Sequence, residues 1–210
     1  MCLHLKLVKF QRLKSEKNLK EKNMNNDIEI KNFLKKYSQI FESKNIVEDL
    51  ISLKDKILEI NRNNGTIYIF GNGGSLAIAD HFAIDMTKNA KIKTLSLSNP
   101  SSITCLANDY GYEEWVKKNI EYFVSNKDLV ILISSSGSSK NMINAAKYCK
   151  AENIFLTTFT GFKEDNPLKK LGDHNFWVNS FGYNLVENIH QVWLLAIVDM
   201  IIGKYEYPAN

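Results

Sequence analysis

The chain has 210 residues, of which 44% are apolar and 24% charged, a composition typical of one folded domain with a substantial core. No apolar run approaches the roughly 20 residues of a membrane-spanning helix, so we expect no membrane partner. The chain has three cysteines, Cys2, Cys105 and Cys149, and their wide spacing indicates no disulfide framework. A reducing, cytoplasmic location is therefore predicted.

Basic residues are concentrated at the amino terminus. Residues 1–23 carry seven of the 27 lysines and arginines but only two acidic residues, so the rest of the chain is almost neutral. A neutral body gives no electrostatic reason to bind nucleic acid. We predict a basic extension over residues 1–26 and one domain over residues 27–210. The extension either is solvated, binds an anionic surface, or precedes a genuine start at Met24.

Two helices are predicted first, from Asn26 to about residue 41 and over residues 46–61, because apolar residues recur there at helical spacing. The period then changes to short apolar runs that alternate with helical stretches. Strands are predicted at 66–70, 93–97, 128–133, 153–159 and 175–178. Helices are predicted at 76–88, 112–124, 139–151 and 184–203. This order predicts a three-layer α/β domain with a five-stranded parallel sheet, preceded by two helices.

The last predicted helix has an apolar stripe that either packs on the sheet or lies in a subunit interface. Its members are Val186, Ile189, Trp193, Ile197 and Met200.

The loop after the first strand is rich in glycine: Gly71-Asn72-Gly73-Gly74-Ser75. Glycines allow a sharp turn and a close approach of the backbone to a ligand, and the following helix presents free N–H groups to an anion. A tight turn without a ligand explains the same residues equally well.

The loop after the third strand is rich in serine, from Ser134 to Ser139 with Gly137 between them. One serine would satisfy a helix N-cap, whereas five hydroxyls at a helix N-terminus favour a bound phosphate. No Gly-Lys-Ser/Thr follows, so the loop is not a Walker loop, and it is not a dinucleotide-binding turn either. Because ligands of parallel sheets bind at the carboxyl ends of strands, we expect both loops to meet at one phosphorylated small molecule.

These loops, together with Ala79-Asp80-His81-Phe82-Ala83 and Leu106-Ala107-Asn108-Asp109-Tyr110-Gly111-Tyr112, resemble the SIS (sugar isomerase) domain family over about residues 27–203. The nearest resemblance is to phosphoheptose isomerases, which act on sedoheptulose 7-phosphate in heptose synthesis for lipopolysaccharide or capsule. The resemblance implies a flavodoxin-like sheet, a homotetramer and active sites between subunits.

The resemblance also implies the site residues. The phosphate would bind Ser134, Ser135, Ser136 and Ser139. The substrate would also contact Asn72, Gly73, Gly74, Ser75, Asn108 and Asp109. Zinc would be held by His81, Asp85 and Glu187, where Asp85 stands in place of the family's usual glutamate. A surface pair explains His81 and Asp85 as well, because a spacing of four puts them on one helix face.

The last helix departs from the family. A late histidine, metal ligand and base in well-known members, is Leu195 here, which puts both the zinc site and the base in question. The remaining candidates for proton transfer are Asp85, Glu187 and His190, with Asp109 assisting. His190 is alternatively a hydrogen-bonded core histidine. The loss of the late histidine leaves two other readings open: a non-catalytic sugar-phosphate-binding adaptor or regulator, and an isomerase of another phosphosugar.

Overall fold

The structure is a computed structural model that describes residues 26–41 and 44–206. The predicted basic extension therefore lies outside the described residues except for Asn26. The chain divides into two compact units after Ser43. The described part of the first unit is helix α1, residues 26–41, along which the rings of Phe33, Tyr37 and Phe41 contact one another in sequence.

The second unit alternates strands and helices, as the sequence predicted. Its helices are α2 (Lys44–Arg62), α3 (Gly74–Lys88), α4 (Pro100–Tyr110), α5 (Trp115–Phe123), α6 (Lys140–Ala151) and α7 (Tyr183–Ile202). Its strands are β1 (Ile67–Phe70), β2 (Thr94–Leu95), β3 (Leu129–Ser134), β4 (Phe155–Thr160) and β5 (His174–Trp177). A short 3-10 helix, Lys169–Leu171, precedes β5.

The five strands are parallel and lie in the order β2-β1-β3-β4-β5. This order confirms the predicted flavodoxin-like sheet. From β1 the chain passes to β2 at one edge of the sheet. It then returns to β3 on the other side of β1 and continues through β4 to β5 at the opposite edge, so the strand order reverses between β1 and β3. The glycine-rich loop follows β1 and the serine-rich loop follows β3. Both therefore open at the point where ligands bind in sheets of this kind.

Helices cover both faces of the sheet. On one face α5 and α6 bury an apolar cluster against alternate residues of the central strands, among them Phe70, Val130 and Leu132. On the other face α7 packs against α2 and α3. Strand β3 is buried along its whole length, because a central parallel strand has helices above and below it.

Helix α7 is long and apolar enough to cross a membrane by length and composition alone. The sequence predicted no such helix, because no uninterrupted apolar run was long enough. In the structure, however, its apolar stripe faces the interior of the unit. Val186, Ile189, Trp193 and Ile197 are buried, and Met200 is partly buried. The stripe therefore packs within one chain, which is one of the two roles predicted for it.

Two elements differ from the sequence prediction. Helix α4 was missed: Asn99 caps it by accepting a hydrogen bond from the Ser102 N–H at 2.9 Å, and Pro100 begins it. None of its residues is fully buried, which explains its weak apolar pattern. Strand β2 pairs over only two residues instead of five, because it lies at the sheet edge and bonds to β1 alone.

Candidate active site

The serine loop connects β3 to α6 and presents hydroxyls at the start of that helix. Ser139 is the N-cap residue of α6, yet its side chain makes no capping hydrogen bond. Its hydroxyl instead lies 3.1 Å from that of Ser134. The hydroxyl of Ser136 accepts a hydrogen bond from the Ser138 N–H at 3.2 Å. The α6 N-terminus is thus left without a side-chain cap, which leaves its N–H groups available to an anion.

Gly137 is required by the shape of this loop. Its φ is +63°, a left-handed conformation that glycine adopts without strain. A side chain there would overlap Asn166, whose amide holds the segment after β4 by donating to the carbonyl of Lys163 at 2.9 Å. The carbonyl of Gly137 accepts from the Leu168 N–H at 3.0 Å. The segment after β4 thus supports the serine loop from behind.

The glycine loop brings the α3 N-terminus against α7. A side chain at position 74 would overlap the carboxylate of Glu187, so Gly74 allows Glu187 to reach the loop. Burial raises the pKa of the Glu187 carboxyl. The buried Ser135 hydroxyl makes no hydrogen bond of ordinary geometry. It lies near the Glu187 carboxylate, however, and favours its ionised form, which offsets part of the rise in pKa. The structure therefore places a half-buried carboxyl with a raised pKa between the two predicted loops, a property of acid–base groups.

The Asn72 side chain joins the two loops. Its amide exchanges two hydrogen bonds with the amide of Asn141 on α6, at 3.0 and 2.9 Å. The Tyr112 hydroxyl donates to the same Asn72 oxygen at 3.0 Å. The glycine loop, the α6 N-terminus and the segment after α4 therefore meet at one residue of the predicted substrate site. Ser75, the last residue of the loop, is buried.

Asn108 and Asp109 lie at the exposed end of α4. Asn108 donates to the Asp109 carboxylate at 2.9 Å. Tyr112, three residues beyond Asp109, contacts Asn72, so this end of α4 is near the glycine loop. Within the described residues, no hydrogen bond joins Asn108 or Asp109 directly to either loop.

His81 and Asp85 form a pair on α3, with His81 Nε2 3.2 Å from Asp85 Oδ2. The other ring nitrogen, Nδ1, lies 3.0 Å from the side-chain nitrogen of Gln191 on α7. Gln191 follows Glu187 by one helical turn, so both residues lie on the same face of α7. The pair is thus attached to the helix that carries Glu187.

His190 lies inside the protein. Its side chain is fully buried, and Nε2 donates to the carbonyl of Thr160 at 3.0 Å. Burial lowers the pKa of His190 to about 4. Its ring packs against Phe159 and Trp193, at centroid distances of 5.6 and 6.2 Å. This placement favours the core-histidine reading, while its predicted part in catalysis stays a prediction.

Because His190 is buried, we expect the free energy of unfolding to decrease as the pH is lowered. As the pH drops from 7.5 to 5, the unfolded chain takes up a proton near pH 6.5, while folded His190 stays neutral until about pH 4. This difference lowers the free energy of unfolding by about 2 kcal/mol. Urea unfolding at the two pH values measures it. His190→Gln should lose this part of the pH dependence, and an unchanged dependence in the variant would assign it to other groups.

Comparison with known proteins decides the family. A family model described as SIS domain matches residues 31–161. The chain is 32% identical to the probable phosphoheptose isomerase of Thermoplasma acidophilum over 76% of this chain and 90% of that relative. It is 34% identical to the phosphoheptose isomerase of Helicobacter pylori strain P12 over 69% of this chain and 78% of that relative.

The chain belongs to the SIS domain family. Its relatives place it among the phosphoheptose isomerases of that family, and it is an isomerase. The solved structure of phosphoheptose isomerase from Neisseria gonorrhoeae has the same fold, with a TM-score of 0.76 and 24% identity over 85% of this chain and 98% of that chain. The predicted family and fold class are confirmed.

Three residues of this SIS domain site were missed from the sequence. Asn141 and Tyr112 hold Asn72, and Gln191 contacts His81. Tyr112 was within the motif that carried the family resemblance, but nothing local indicated that it would reach Asn72. The signal for Gln191 was its spacing of four from Glu187, which puts both on one face of α7. Asn141 follows Ser139 by two residues, which is the one indication that it lies near the predicted phosphate.

Proposed function

We propose that this isomerase converts sedoheptulose 7-phosphate to D-glycero-D-manno-heptose 7-phosphate, in heptose synthesis for a surface polysaccharide. The observation that carries the proposal is the meeting of the serine loop, the glycine loop and the Glu187 carboxyl at the switch point of the sheet. The names of the relatives from Thermoplasma acidophilum and Helicobacter pylori support the substrate.

The phosphate of the sugar binds at the start of α6. The helix end offers N–H groups without a side-chain cap, and Ser134, Ser135, Ser136 and Ser139 belong to the loop that leads into it. The phosphate is distant from the reacting carbons, so its binding energy is available to orient the reacting end of the sugar. Asn72 to Ser75, together with Asn108 and Asp109, contact the rest of the sugar.

Aldose–ketose isomerisation moves a proton between C1 and C2 through an enediol. The base takes the proton from one carbon and returns it to the other, while an acid protonates the carbonyl oxygen that becomes a hydroxyl and recovers a proton from the hydroxyl that becomes the new carbonyl. Glu187 is our candidate for the base, because its carboxyl lies against the glycine loop and its raised pKa brings it nearer neutral pH. Asp85, whose carboxylate lies 3.2 Å from His81 Nε2, is the candidate partner in proton transfer.

Zinc stays a prediction of the family resemblance. Both ring nitrogens of His81 already have partners, Asp85 and Gln191. Over residues 26–41 and 44–206, no group of three His, Cys, Asp or Glu side chains is arranged to hold a metal ion. The arrangement of His81, Asp85 and Glu187 in one chain does not fit a three-ligand site, so no step above uses a metal.

Leu195 stands where the family resemblance places a histidine that binds zinc. It lies two turns after Glu187 on α7 and is partly buried. We expect Leu195→His to bind zinc more tightly than the unchanged chain, because it adds a nitrogen donor. Calorimetric titration with zinc chloride compares the two, and Val192→His, on an exposed part of α7, is the control. Equal affinity for all three proteins would contradict a donor position at 195.

The proposal also includes the oligomeric state of the protein and its cellular compartment. We propose a homotetramer in the cytoplasm. Exposed apolar residues on α1 support assembly, among them Ile28, Ile30 and Leu34, each at least half exposed. Cys105 and Cys149 are free, which supports a reducing compartment. Light scattering of the purified protein measures the mass, and a monomer at micromolar concentration would contradict the tetramer.

The experiment that tests the function is direct. Purified protein is mixed with sedoheptulose 7-phosphate, and formation of the heptose 7-phosphate is followed by proton NMR. Turnover supports the proposal. Binding without turnover favours the non-catalytic adaptor, the second candidate that Leu195 in place of the late histidine supports. Turnover of a different phosphosugar, but not of this one, assigns another substrate.

A further inference from the structure

The amide of Asn72 is nearly saturated by contacts within the protein. Its oxygen accepts from Asn141 Nδ2 at 2.9 Å and from the Tyr112 hydroxyl at 3.0 Å. An amide oxygen has two acceptor sites, so both are used. Its nitrogen donates one hydrogen to Asn141 Oδ1 at 3.0 Å. One N–H of Asn72 remains, so this side chain meets a substrate as a hydrogen-bond donor and not as an acceptor.

Asn141 is the fixed side of this contact. It is 2% exposed and lies in the first turn of α6, directly after the serine loop. Within the described residues, its side chain hydrogen bonds to Asn72 and to no other side chain. A buried amide without partners is costly, so the reciprocal pair holds both side chains in one orientation.

Tyr112 contributes from a third element. Its side chain is 54% exposed, and its hydroxyl reaches the Asn72 oxygen from the segment between α4 and α5. The loop it contacts contains Gly73 with φ +53°, a conformation that glycine adopts readily but that leaves the loop without a side chain at that position to pack. Asn72 is therefore fixed from both sides, by α6 and by Tyr112.

We propose that Asn141 and Tyr112 are positioning residues, which tie the glycine loop to the serine loop through Asn72 and leave one Asn72 N–H for the substrate. Here this link is called the Asn72 clamp. It sets the distance between the phosphate at α6 and the part of the sugar at the glycine loop. The inference rests on the proposed function, because the molecule positioned is the sugar phosphate named there.

The clamp has a chemical consequence. A donor at the glycine loop suits an oxygen that gains negative charge, as the carbonyl oxygen does when the enediol forms. Errors of about 1 Å in such placement lower rates strongly, because the reacting groups leave their productive geometry. Loosening the clamp should therefore lower kcat more than it raises KM, while binding of inorganic phosphate, which needs the serine loop alone, is retained.

A double-mutant cycle tests the clamp. Tyr112→Phe removes one hydroxyl from an exposed ring and should lower kcat/KM about 2- to 12-fold, the effect of one neutral hydrogen bond. In an Asn72→Ala background, the same change should have no further effect, because Tyr112 acts through Asn72. An equal loss in both backgrounds would overturn the proposal, since it would mean that Tyr112 contacts the substrate itself.

A second measurement does not depend on activity. Hydrogen exchange of the amides in residues 71–75 should be faster in Asn141→Ala than in the unchanged chain. Asn144→Ala is the matched control, since Asn144 lies one turn further along α6 and bonds to Glu113 and Glu114. Unchanged exchange in Asn141→Ala would overturn the clamp. A wild type inactive on sedoheptulose 7-phosphate, with faster exchange in Asn141→Ala, would instead refute the proposed reaction and leave the clamp intact.

Discussion

Replacing Glu187 by glutamine is expected to lower kcat about 10²- to 10⁴-fold, the usual contribution of a well-placed general base. The amide keeps the shape of the side chain next to Gly74 but cannot take a proton from carbon. KM should change little, because the contacts to the sugar phosphate survive. Steady-state kinetics with sedoheptulose 7-phosphate measures both constants.

The pH profile gives a second test of Glu187. A base has to be ionised, and burial raises the pKa of this carboxyl. Activity of the unchanged enzyme should therefore fall as the pH drops through that raised pKa, at a higher pH than an ordinary glutamate would give. Glu59→Gln, on α2 beside Lys56, is the control and should leave kcat unchanged. Full activity of Glu187→Gln would exclude Glu187 and direct attention to Asp85.

Changing Ser136 and Ser139 together to alanine is expected to weaken sugar-phosphate binding about 10²- to 10⁴-fold. Hydrogen bonds to a charged group contribute roughly 1.5–3 kcal/mol each, and the double variant removes two. Isothermal titration with sedoheptulose 7-phosphate measures the loss. The variant also removes the contact between the hydroxyls of Ser139 and Ser134, so circular dichroism should first show an intact fold.

Ser138→Ala is the matched control for this pair. Ser138 belongs to the same loop, but it is exposed and its hydroxyl contacts the Ser136 carbonyl at 3.3 Å. Its affinity for the sugar phosphate should be close to that of the unchanged chain. If the double variant binds as tightly as this control, the phosphate does not bind at the serine loop.

The alternation of strands and helices was sufficient to predict the fold. Apolar runs such as Leu129–Ile133 are typical of strands buried on both faces, and most of them are followed by a turn and a helix, whereas only a 3-10 helix separates β4 from β5. The exception was α4. It buries no residue fully, so periodicity was weak there, and the capping signal of Asn99 and Pro100 was the one local indication.

The candidate site was predictable in its residue types but not in its contacts. The glycine and serine loops were recognisable because turns and helix N-termini have local signatures. The link between Asn72 and Asn141 joins residues 69 positions apart, and His81 meets Gln191 across 110 positions. Such pairs depend on how the sheet and its helices pack. The position of His190 in the core depends on the same packing.

The two edges of the sheet constrain how copies of this chain can meet. Strand β2 offers two paired residues at one edge, and β5 offers four at the other. Edges this short are poor templates for a strand of another molecule, which is a common protection against aggregation. Association of copies is therefore expected to use helical surfaces rather than continuation of the sheet, so each subunit keeps its own five-stranded sheet in any assembly.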